Sequence, residues 1–371
     1  MPLPVISEYV PPPVILDRRE LMSDFTAGLR ACGYDQAGCA RRLGVFPRLG
    51  VSFWPSMRLD WVPRPAEALD TLVELFIDGQ PVAADRLLSH LPQALVDAAI
   101  EMRLLEETRA QLQARLCLFP CYGTYLATDR VPKNTAINQV MWLWGESYLL
   151  GGMVKRAPRR RAVDIGTGSG VHAVLAARHS QSVTAVDINP RALEFARFNA
   201  CLNGLTNLEF VLSDVFDAVA GTCDLLVANP PYAPDDAARA GDNFWSGGHD
   251  GMEILRRIVQ ALPTRLDPDG IAHIVALYPN PAGTRLRDHF DRWLDGAVES
   301  YEALDHTWPV PRYEDMLSEQ PFRGDKSAWR FGVVSLRRSP IGRGWWKEAA
   351  GKGGFFDREG ACSVVADHDA I

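Results

Sequence analysis

The stretch at residues 161–170, RAVDIGTGSG, constrains the fold of this chain more than any other. Its apolar first half predicts a short strand at residues 162–165, which breaks into alternating glycines and then opens a helix. Gly166, Gly168 and Gly170 carry no Cβ, so the backbone can turn tightly there and approach a ligand closely. The first amides of the helix would then face that ligand. We therefore predict a strand–loop–helix unit with a small-molecule site; an ordinary turn is the alternative.

Two classes of cofactor fit a glycine-rich loop, and the spacing here favours one of them. A dinucleotide loop has the form G-x-G-x-x-G, whereas Val171 stands where its third glycine would be. Asp164 comes two residues before the first glycine, and a carboxylate there suits a cationic ligand better than a pyrophosphate. S-adenosylmethionine (SAM) is such a ligand, because it has an amino acid end and a sulfonium.

Strands and helices alternate from residue 161 to about residue 340, which is typical of a parallel sheet covered by helices. Further strands are predicted at residues 182–188, 208–212, 223–228 and 271–278, and helices at 171–179, 190–203, 250–266 and 285–294. A last strand, 329–336, would be an edge strand or an antiparallel one. The sequence thus predicts an α/β domain over residues 161–340.

Polar residues follow four successive strands of this predicted sheet, namely Asp164, Asp187, Asp214 and Asn229. In an open α/β sheet, ligands bind beyond the carboxyl ends of the strands, so these side chains would line one crevice. Asp187 lies about twenty residues past the glycines, where an acidic group meets ribose hydroxyls. Each residue alone could be a turn or cap residue, but the ordered set indicates a site.

The tetrapeptide Asn229-Pro230-Pro231-Tyr232 suits chemistry on a planar nitrogen. The lone pair of such a nitrogen is delocalised, which makes it a poor nucleophile. The Asn229 side-chain oxygen and the Pro230 carbonyl could each accept one N–H and so orient it. Tyr232 could stack on a flat substrate. The alternative is that the two prolines only end a strand in a rigid turn.

With these residues in view, the chain resembles the class I SAM-dependent methyltransferases over roughly residues 155–340. The tetrapeptide is similar to that of enzymes that methylate planar nitrogens: release-factor glutamine methyltransferases, ribosomal RNA guanine methyltransferases and adenine methyltransferases. Residues 247–251, GGHDG, and 256–258, RRI, are similar to the glutamine-methylating branch. The part before residue 130 instead resembles modules that precede methyltransferases of the small-methyltransferase type.

The resemblance implies a Rossmann-like class I sheet, SAM as cofactor, and a role for each motif residue. Asp164 and the three glycines would hold the methionine end, Asp187 the ribose hydroxyls and Asp214 the adenine amine. Asn229, Pro230 and Tyr232 would hold the substrate and form the catalytic set, with Asn229 also near the cofactor. The neighbouring residues expected to complete the cofactor site are Thr167, Ile188 and Val215.

The pattern of apolar residues over 1–130 predicts a separate, mainly helical domain. Apolar periodicity indicates helices at 20–43, 66–76, 83–91 and 93–105, and alternation then predicts a hairpin of strands 109–121 and 122–128. Three short helices and a hairpin are the order of a winged-helix module, which would contact nucleic acid through its third helix. That region carries Asp97, Glu101, Glu106 and Glu107 against Arg103 and Arg109. A helix that faces phosphates is net basic, so we expect a substrate-recognition or packing module.

We interpret residues 131–160 as a connecting segment. Residues 341–371 are interpreted as a tail, to which we assign no role. The connecting segment is rich in aromatic residues at 142–148, which fits a helix packed on the next domain. We favour this packed helix; the alternative is a lid over the cofactor that uses Glu146 or Tyr148. A proline-rich start at residues 1–20 and an aromatic-rich segment at 44–65 flank the first predicted helix.

The net charge and the cysteine content limit which binding partners and which cellular location we expect. A net charge of −7 does not favour an extended nucleic-acid footprint, and DNA least of all. The sequence has no membrane-spanning run and no secretory signal at its start. Seven scattered cysteines without zinc spacing predict reduced thiols, no metal and a cytoplasmic location. The acceptor stays open between a protein side chain, RNA and a small planar molecule, and a catalytically silent SAM-binding protein is the fourth alternative. The oligomeric state is not predicted.

Overall fold

The computed structural model describes residues 18–43, 67–108, 110–130, 138–234, 245–280, 284–309, 329–339 and 341–348. Within them an N-terminal part, residues 18–130, consists of helices and hairpins, and a second part, residues 138–348, is built on one large sheet. The aromatic-rich segment 44–65, most of the proline-rich start and residues 349–371 of the predicted tail lie outside the described residues.

The N-terminal part has helices on a small sheet, followed by a separate hairpin. Its helices are α1 (Arg19–Ala31), α2 (Gln36–Leu43), α3 (Ala68–Phe76), α4 (Ala84–His90) and α5 (Gln93–Glu101). Its strands are β1 (Val82–Ala83), β2 (Leu105–Thr108), β3 (Gln111–Ala114), β4 (Leu116–Cys121) and β5 (Thr124–Asp129). Strands β1, β2 and β3 form an antiparallel sheet in the order β1-β3-β2, and β4 pairs with β5.

Three boundaries in this part differ from the sequence-based expectation. The predicted helix 93–105 ends at Glu101, and Glu106 and Glu107 lie on strand β2. Strand β2 reads LEET, which shows no apolar alternation that would separate it from the helix before it. The predicted strand 109–121 is two strands, β3 and β4. The predicted helix 20–43 is also two helices, because Gly33 adopts a left-handed backbone conformation with φ 71°.

The second part is an α/β unit whose central sheet is mixed and mostly parallel. Its helices are α6 (Gly145–Met153), α7 (Val171–Ala177), α8 (Pro190–Leu202), α9 (Glu253–Arg265) and α10 (Leu286–Trp293). Its strands are β6 (Arg159–Ile165), β7 (Ser180–Asp187), β8 (Leu208–Leu212), β9 (Cys223–Ala228), β10 (Leu266–Pro279), β11 (Tyr301–Pro309), β12 (Trp329–Arg338) and β13 (Trp345–Glu348). The order across the sheet is β13-β11-β12-β10-β9-β6-β7-β8.

Strands β6 to β10 are parallel, which confirms the predicted parallel sheet. The predicted last strand corresponds to β12 and is antiparallel, but it lies between β10 and β11 and is not an edge. Strand β11 was not predicted, because its sequence YEALDHTWP mixes charged and apolar residues. Strand β13 lies in the predicted tail, and its Trp346 packs against Phe290 with ring centroids 5.6 Å apart.

Helices cover both faces of the large sheet. Apolar side chains of α6 and α7 pack on one face, and those of α9 and α10 pack on the other. Helix α8 starts as the sequence predicts: the Asn189 side chain accepts a hydrogen bond from the amide of Arg191, and Pro190 is the first helical residue. This arrangement leaves the carboxyl ends of β6, β7 and β9 accessible between the two helical layers.

Helix α8 joins the two parts of the molecule. Its Phe195 and Phe198 belong to the same apolar cluster as the N-terminal helices. The Asn199 side chain accepts a hydrogen bond from the Ala127 amide (2.7 Å) and donates one to the Ala127 carbonyl (2.9 Å). Asn203, one turn later, makes the same pair of bonds with Tyr125 of β5 at 3.0 and 2.8 Å. Two amides on one helix thus substitute for a neighbouring strand along β5.

We expect Asn199→Ala to lower the free energy of unfolding by about 2–4 kcal/mol, because it leaves buried backbone groups of Ala127 and Ser169 without a partner. Asn203→Ala is the matched control and should cost about 1 kcal/mol, since Asn203 is partly exposed. Thermal unfolding of both variants and the wild type measures the difference. A loss in Asn199→Ala no larger than in Asn203→Ala would contradict this account.

Candidate functional site

A cavity of about 380 Å³ opens beyond the carboxyl ends of β6, β7, β8 and β9. The strand order reverses beside β6, with β7 and β8 on one side and β9 and β10 on the other, and such a reversal creates a crevice at the sheet edge. The lining consists of residues 139–143, 165–169, 186–189, 213–215 and 229–231, together with Ser147, Val171, His172, Ala192, Ser246, Ile254 and Arg257. Most of the residues predicted for the site meet in this cavity.

The glycine loop contributes its backbone to the cavity wall. Gly166 and Gly168 have φ angles of 68° and 53°, in the left-handed region that favours glycine. A Cβ built on Gly168 meets no atom within 4 Å, and one on Gly166 meets only the Asn229 carbonyl at 4.0 Å, so open space faces both residues. Gly170 does not line the cavity. A Cβ there would lie 2.8 Å from the Ala196 Cβ, so Gly170 serves the packing of α7 against α8.

Asp164 lies beneath this loop and does not line the cavity. Its side chain is 1% exposed, and Oδ2 accepts hydrogen bonds from the Thr167 hydroxyl (2.6 Å) and the Ala173 amide (2.9 Å). Burial raises the pKa of its carboxyl to about 7. The geometry therefore gives Asp164 a role in holding the loop to helix α7, and Thr167 carries this contact up to the cavity wall.

Asp187 and Ile188 lie in the cavity wall at the end of β7. The Asp187 carboxylate accepts hydrogen bonds from the Gly168 amide (2.8 Å) and the Asn189 amide (2.9 Å), and its partly buried position raises its pKa. The neighbouring Ile188 side chain is 58% exposed, an unusual state for an isoleucine. The wall thus offers a carboxylate beside an exposed apolar surface.

Asp214 and Val215 line the far end of the cavity, after β8. Both Asp214 carboxylate oxygens accept hydrogen bonds from the Arg257 guanidinium, at 2.9 and 3.0 Å. Arg257 projects from α9, and sequence reasoning noted its position without assigning it this partner. Val215 is a β-branched residue with a φ of 50°, a strained conformation that the surroundings must hold.

Asn229, Pro230 and Pro231 line the cavity directly after β9. The Asn229 Oδ1 is buried and has no hydrogen-bond partner among the residues that the structure describes. Buried acceptors are nearly always satisfied, so an open one at a cavity wall indicates a ligand position.

Tyr232 belongs to the wall behind the cavity. Its hydroxyl donates a hydrogen bond to the buried Glu146 carboxyl. Its ring makes edge-on contacts with Trp245 and Phe331, at centroid distances of 6.1 and 5.7 Å. These contacts suit a support for the turn at 229–231 better than the predicted stacking surface.

The connecting segment contributes to the site in two ways. Helix α6 is a packed helix: Glu146 is 3% exposed, and the Tyr148 hydroxyl donates to the Pro120 carbonyl at 3.0 Å. The residues before it, 139–143, line the cavity, as does Ser147 of the helix. Sequence reasoning missed these contacts because aromatic and apolar residues in a linker look the same whether they pack or line a site.

His172 is a further lining residue that the sequence did not single out. Its imidazole is 4% exposed, and within the described part of the chain neither ring nitrogen has a hydrogen-bond partner. Burial, together with the charge of Arg156, lowers its pKa to about 3, so the ring is neutral. The sequence signal for this role is a histidine soon after the glycine loop, which is a weak signal for a ligand contact.

None of the helices in the described residues is long and apolar enough to cross a bilayer.

A family model, methyltransferase small domain, matches residues 145–297. The chain is 34% identical over 135 residues to a putative protein N5-glutamine methyltransferase of Methanocaldococcus jannaschii, covering 35% of this chain and 68% of that protein. It is 38% identical over 231 residues to the release factor glutamine methyltransferase of Cereibacter sphaeroides, covering 55% and 80%.

The similarity to solved structures is lower. The 16S rRNA N2 G1207 methyltransferase of T. thermophilus, in complex with AdoMet and guanosine, aligns with a TM-score of 0.39 and 14% identity. The alignment covers 69% of this chain and 63% of that one.

The buried Glu146 predicts a pH-dependent contribution to stability. Burial raises the pKa of its carboxyl from 4.5 to about 7. The protonated form therefore stabilises the fold below pH 4.5, and this contribution is lost as the pH rises through about 7. Glu146→Gln, which cannot ionise, should gain on the order of 2 kcal/mol over the wild type between pH 5 and pH 8.

Thermal unfolding of both proteins across this pH range measures the effect, with Glu194→Gln as the control at an exposed position of α8. A difference between Glu146→Gln and the wild type that stays constant from pH 5 to pH 8 would show that the carboxyl does not titrate as expected.

Proposed function

The chain belongs to the S-adenosylmethionine-dependent methyltransferases, and from this premise we propose that it methylates a planar amide nitrogen held by Asn229 and Pro230. The observation that carries the proposal is the buried Asn229 Oδ1 without a partner in the described residues, at the wall of the cavity. An N–H of the acceptor would satisfy it.

The lining residues fit SAM. Open space faces Gly166 and Gly168, so a ligand can lie directly against the backbone of the loop. We propose that Asp187 binds the ribose hydroxyls, and that Ile188 and Val215 provide apolar contact to the adenine. Asp214 keeps lone pairs besides those that Arg257 uses, so it remains the proposed partner of the adenine amine. Asp164, Thr167 and Gly170 would act by shaping the loop.

When bound, SAM supplies an electrophilic methyl group. The chain's own residues then orient the nucleophile: Asn229 Oδ1 and the Pro230 carbonyl each accept one N–H of the acceptor nitrogen. Holding both N–H groups weakens the conjugation of the lone pair and aims it at the methyl group. The contact between Glu146 and Tyr232 supports this turn from behind. In this scheme no strong general base is needed, because the nitrogen loses its proton readily once it is cationic.

The proposed acceptor is the side-chain amide of a protein glutamine. Relatives that share residues of this part of the chain are named as glutamine methyltransferases of release factor and of ribosomal protein uL3. RNA and a small planar molecule are the other acceptors that the tetrapeptide would fit, and the net charge of −7 does not favour RNA. A cytoplasmic location is part of the proposal and rests on the scattered cysteines.

We further propose that residues 67–114 form a winged-helix-like unit, in a domain that ends near residue 130. Its support is the element order α3-β1-α4-α5-β2-β3 with the strand order β1-β3-β2. Glu106 and Glu107 of β2 are exposed, which favours a protein surface over phosphates as the contact of this hairpin. Its proposed role is recognition of the acceptor.

Calorimetry with SAM tests the cofactor site. We expect the wild type to bind SAM and Asp187→Ala to lose at least about tenfold in affinity, because a carboxylate–hydroxyl interaction is charge-assisted. Asp24→Ala, at an exposed position of α1, should bind like the wild type. No SAM binding by the wild type, or equal affinity of Asp187→Ala, would count against the proposed site.

Asn229→Ala tests the acceptor site. It should reduce methyl transfer by about 100-fold or more while SAM still binds, because only the orientation of the acceptor is lost. Transfer of tritiated methyl groups from SAM to a cell extract measures the activity. Protease-sensitive label supports a protein acceptor, whereas RNase-sensitive or dialysable label would replace it with RNA or a small molecule. Equal loss of SAM binding in Asn229→Ala would reassign Asn229 to the cofactor.

A further inference from the structure

His172 is a buried polar side chain at the cavity wall that the proposed function does not use. It lies in the first turn of α7, lines the cavity and is 4% exposed. Neither Nδ1 nor Nε2 has a hydrogen-bond partner among the described residues. A buried group with an unsatisfied donor and an unsatisfied acceptor destabilises the protein unless a ligand supplies the missing partners.

Other unsatisfied atoms lie around the same cavity. Gln139 uses its Nε2 to donate to the Arg130 carbonyl at 2.8 Å, and its Oε1 has no partner in the described parts of the chain. Asn229 Oδ1 is in the same state. His172, Gln139 and Asn229 all line the cavity. Their convergence indicates a ligand with several polar groups that is not confined to the acceptor nitrogen.

The strand order distinguishes the ends of the cavity. Asp214 and Val215 follow β8, the edge strand on this side of the sheet. The glycine loop and His172 follow β6, two strands further in. If adenine occupies the first end, the amino acid group of SAM faces the second.

The expected partner of that group, Asp164, does not line the cavity. It lies beneath the loop, where Oδ2 is bonded to Thr167 and Ala173 and the buried Oδ1 has no partner in the described residues. The carboxylate of that group needs hydrogen-bond donors. A neutral imidazole offers one N–H. Burial keeps the His172 ring neutral, so it does not repel the ammonium.

We propose that His172 binds the amino acid end of SAM through one ring nitrogen, donating a hydrogen bond to the carboxylate. The inference rests on the proposed cofactor site and adds a residue that discriminates ligands with this end from ligands without it.

Two probes separate this role from a structural one. S-adenosylhomocysteine has the amino acid end, whereas 5′-methylthioadenosine has the adenine and ribose but lacks it. In calorimetry at pH 7.5, His172→Ala should bind S-adenosylhomocysteine about tenfold or more weaker than the wild type, with unchanged affinity for 5′-methylthioadenosine. His172→Asn, which keeps a donor and an acceptor, should recover part of the loss.

His179→Ala is the matched control, because His179 follows the same helix but does not line the cavity. It should bind both probes like the wild type. Unchanged affinity of His172→Ala for S-adenosylhomocysteine, or an equal loss for both probes, would overturn the inference. Failure of the wild type to bind S-adenosylhomocysteine would instead overturn the proposed cofactor site.

Discussion

One buried carboxylate holds together the loop on which the site depends. Asp164 accepts hydrogen bonds from Thr167 in the loop and from Ala173 in helix α7, so strand β6, the glycines and the helix keep one relative position. Asp187 ties the same loop to the next strand through the Gly168 amide. Because Asp164 binds the Thr167 hydroxyl and Asp187 binds the Gly168 amide, Gly166 and Gly168 are held with open space in front of them. The cavity is therefore a consequence of polar contacts below the loop as much as of the residues that face it.

The acceptor side of the site is supported in a different way. Asn229, Pro230 and Pro231 follow a central strand directly, and Tyr232 anchors them through Glu146 of α6 and through aromatic contacts. The connecting segment, which precedes the large sheet in the chain, therefore contributes twice. Residues 139–143 form part of the cavity wall, and Glu146 of α6 supports the turn at 229–231 from behind. A site assembled from a linker, the glycine loop and the ends of β7, β8 and β9 is well suited to hold a charged ligand against a second, neutral one.

Much of the sheet was predictable from the sequence, because buried parallel strands and capped helices leave strong local signals. Strands β8 and β9 have the bounds that apolar runs predict, and Asn189-Pro190 marks the start of α8. The polar residues at strand ends were also found. Whether such a residue faces the ligand or supports the loop depends on side-chain direction, which spacing does not encode; Asp164, Gly170 and Tyr232 illustrate this. Strands β2 and β11 carry mixed sequences, and their partners decide their conformation. His172 and residues 139–143 reach the cavity only through tertiary packing.

Helix α8 makes the residues of the matched domain depend on residues that precede them in the chain. The matched domain begins at residue 145, yet Asn199 bonds at once to Ala127 in the hairpin before it and to the Ser169 carbonyl in the glycine loop. A chain shortened to the matched domain would keep the parallel strands β6 to β10 and lose β11, β12 and β13. It would also expose Phe195 and Phe198 to water and remove both hydrogen bonds between Asn199 and Ala127. A fragment that keeps these contacts must therefore include the β4–β5 hairpin as well as the matched residues.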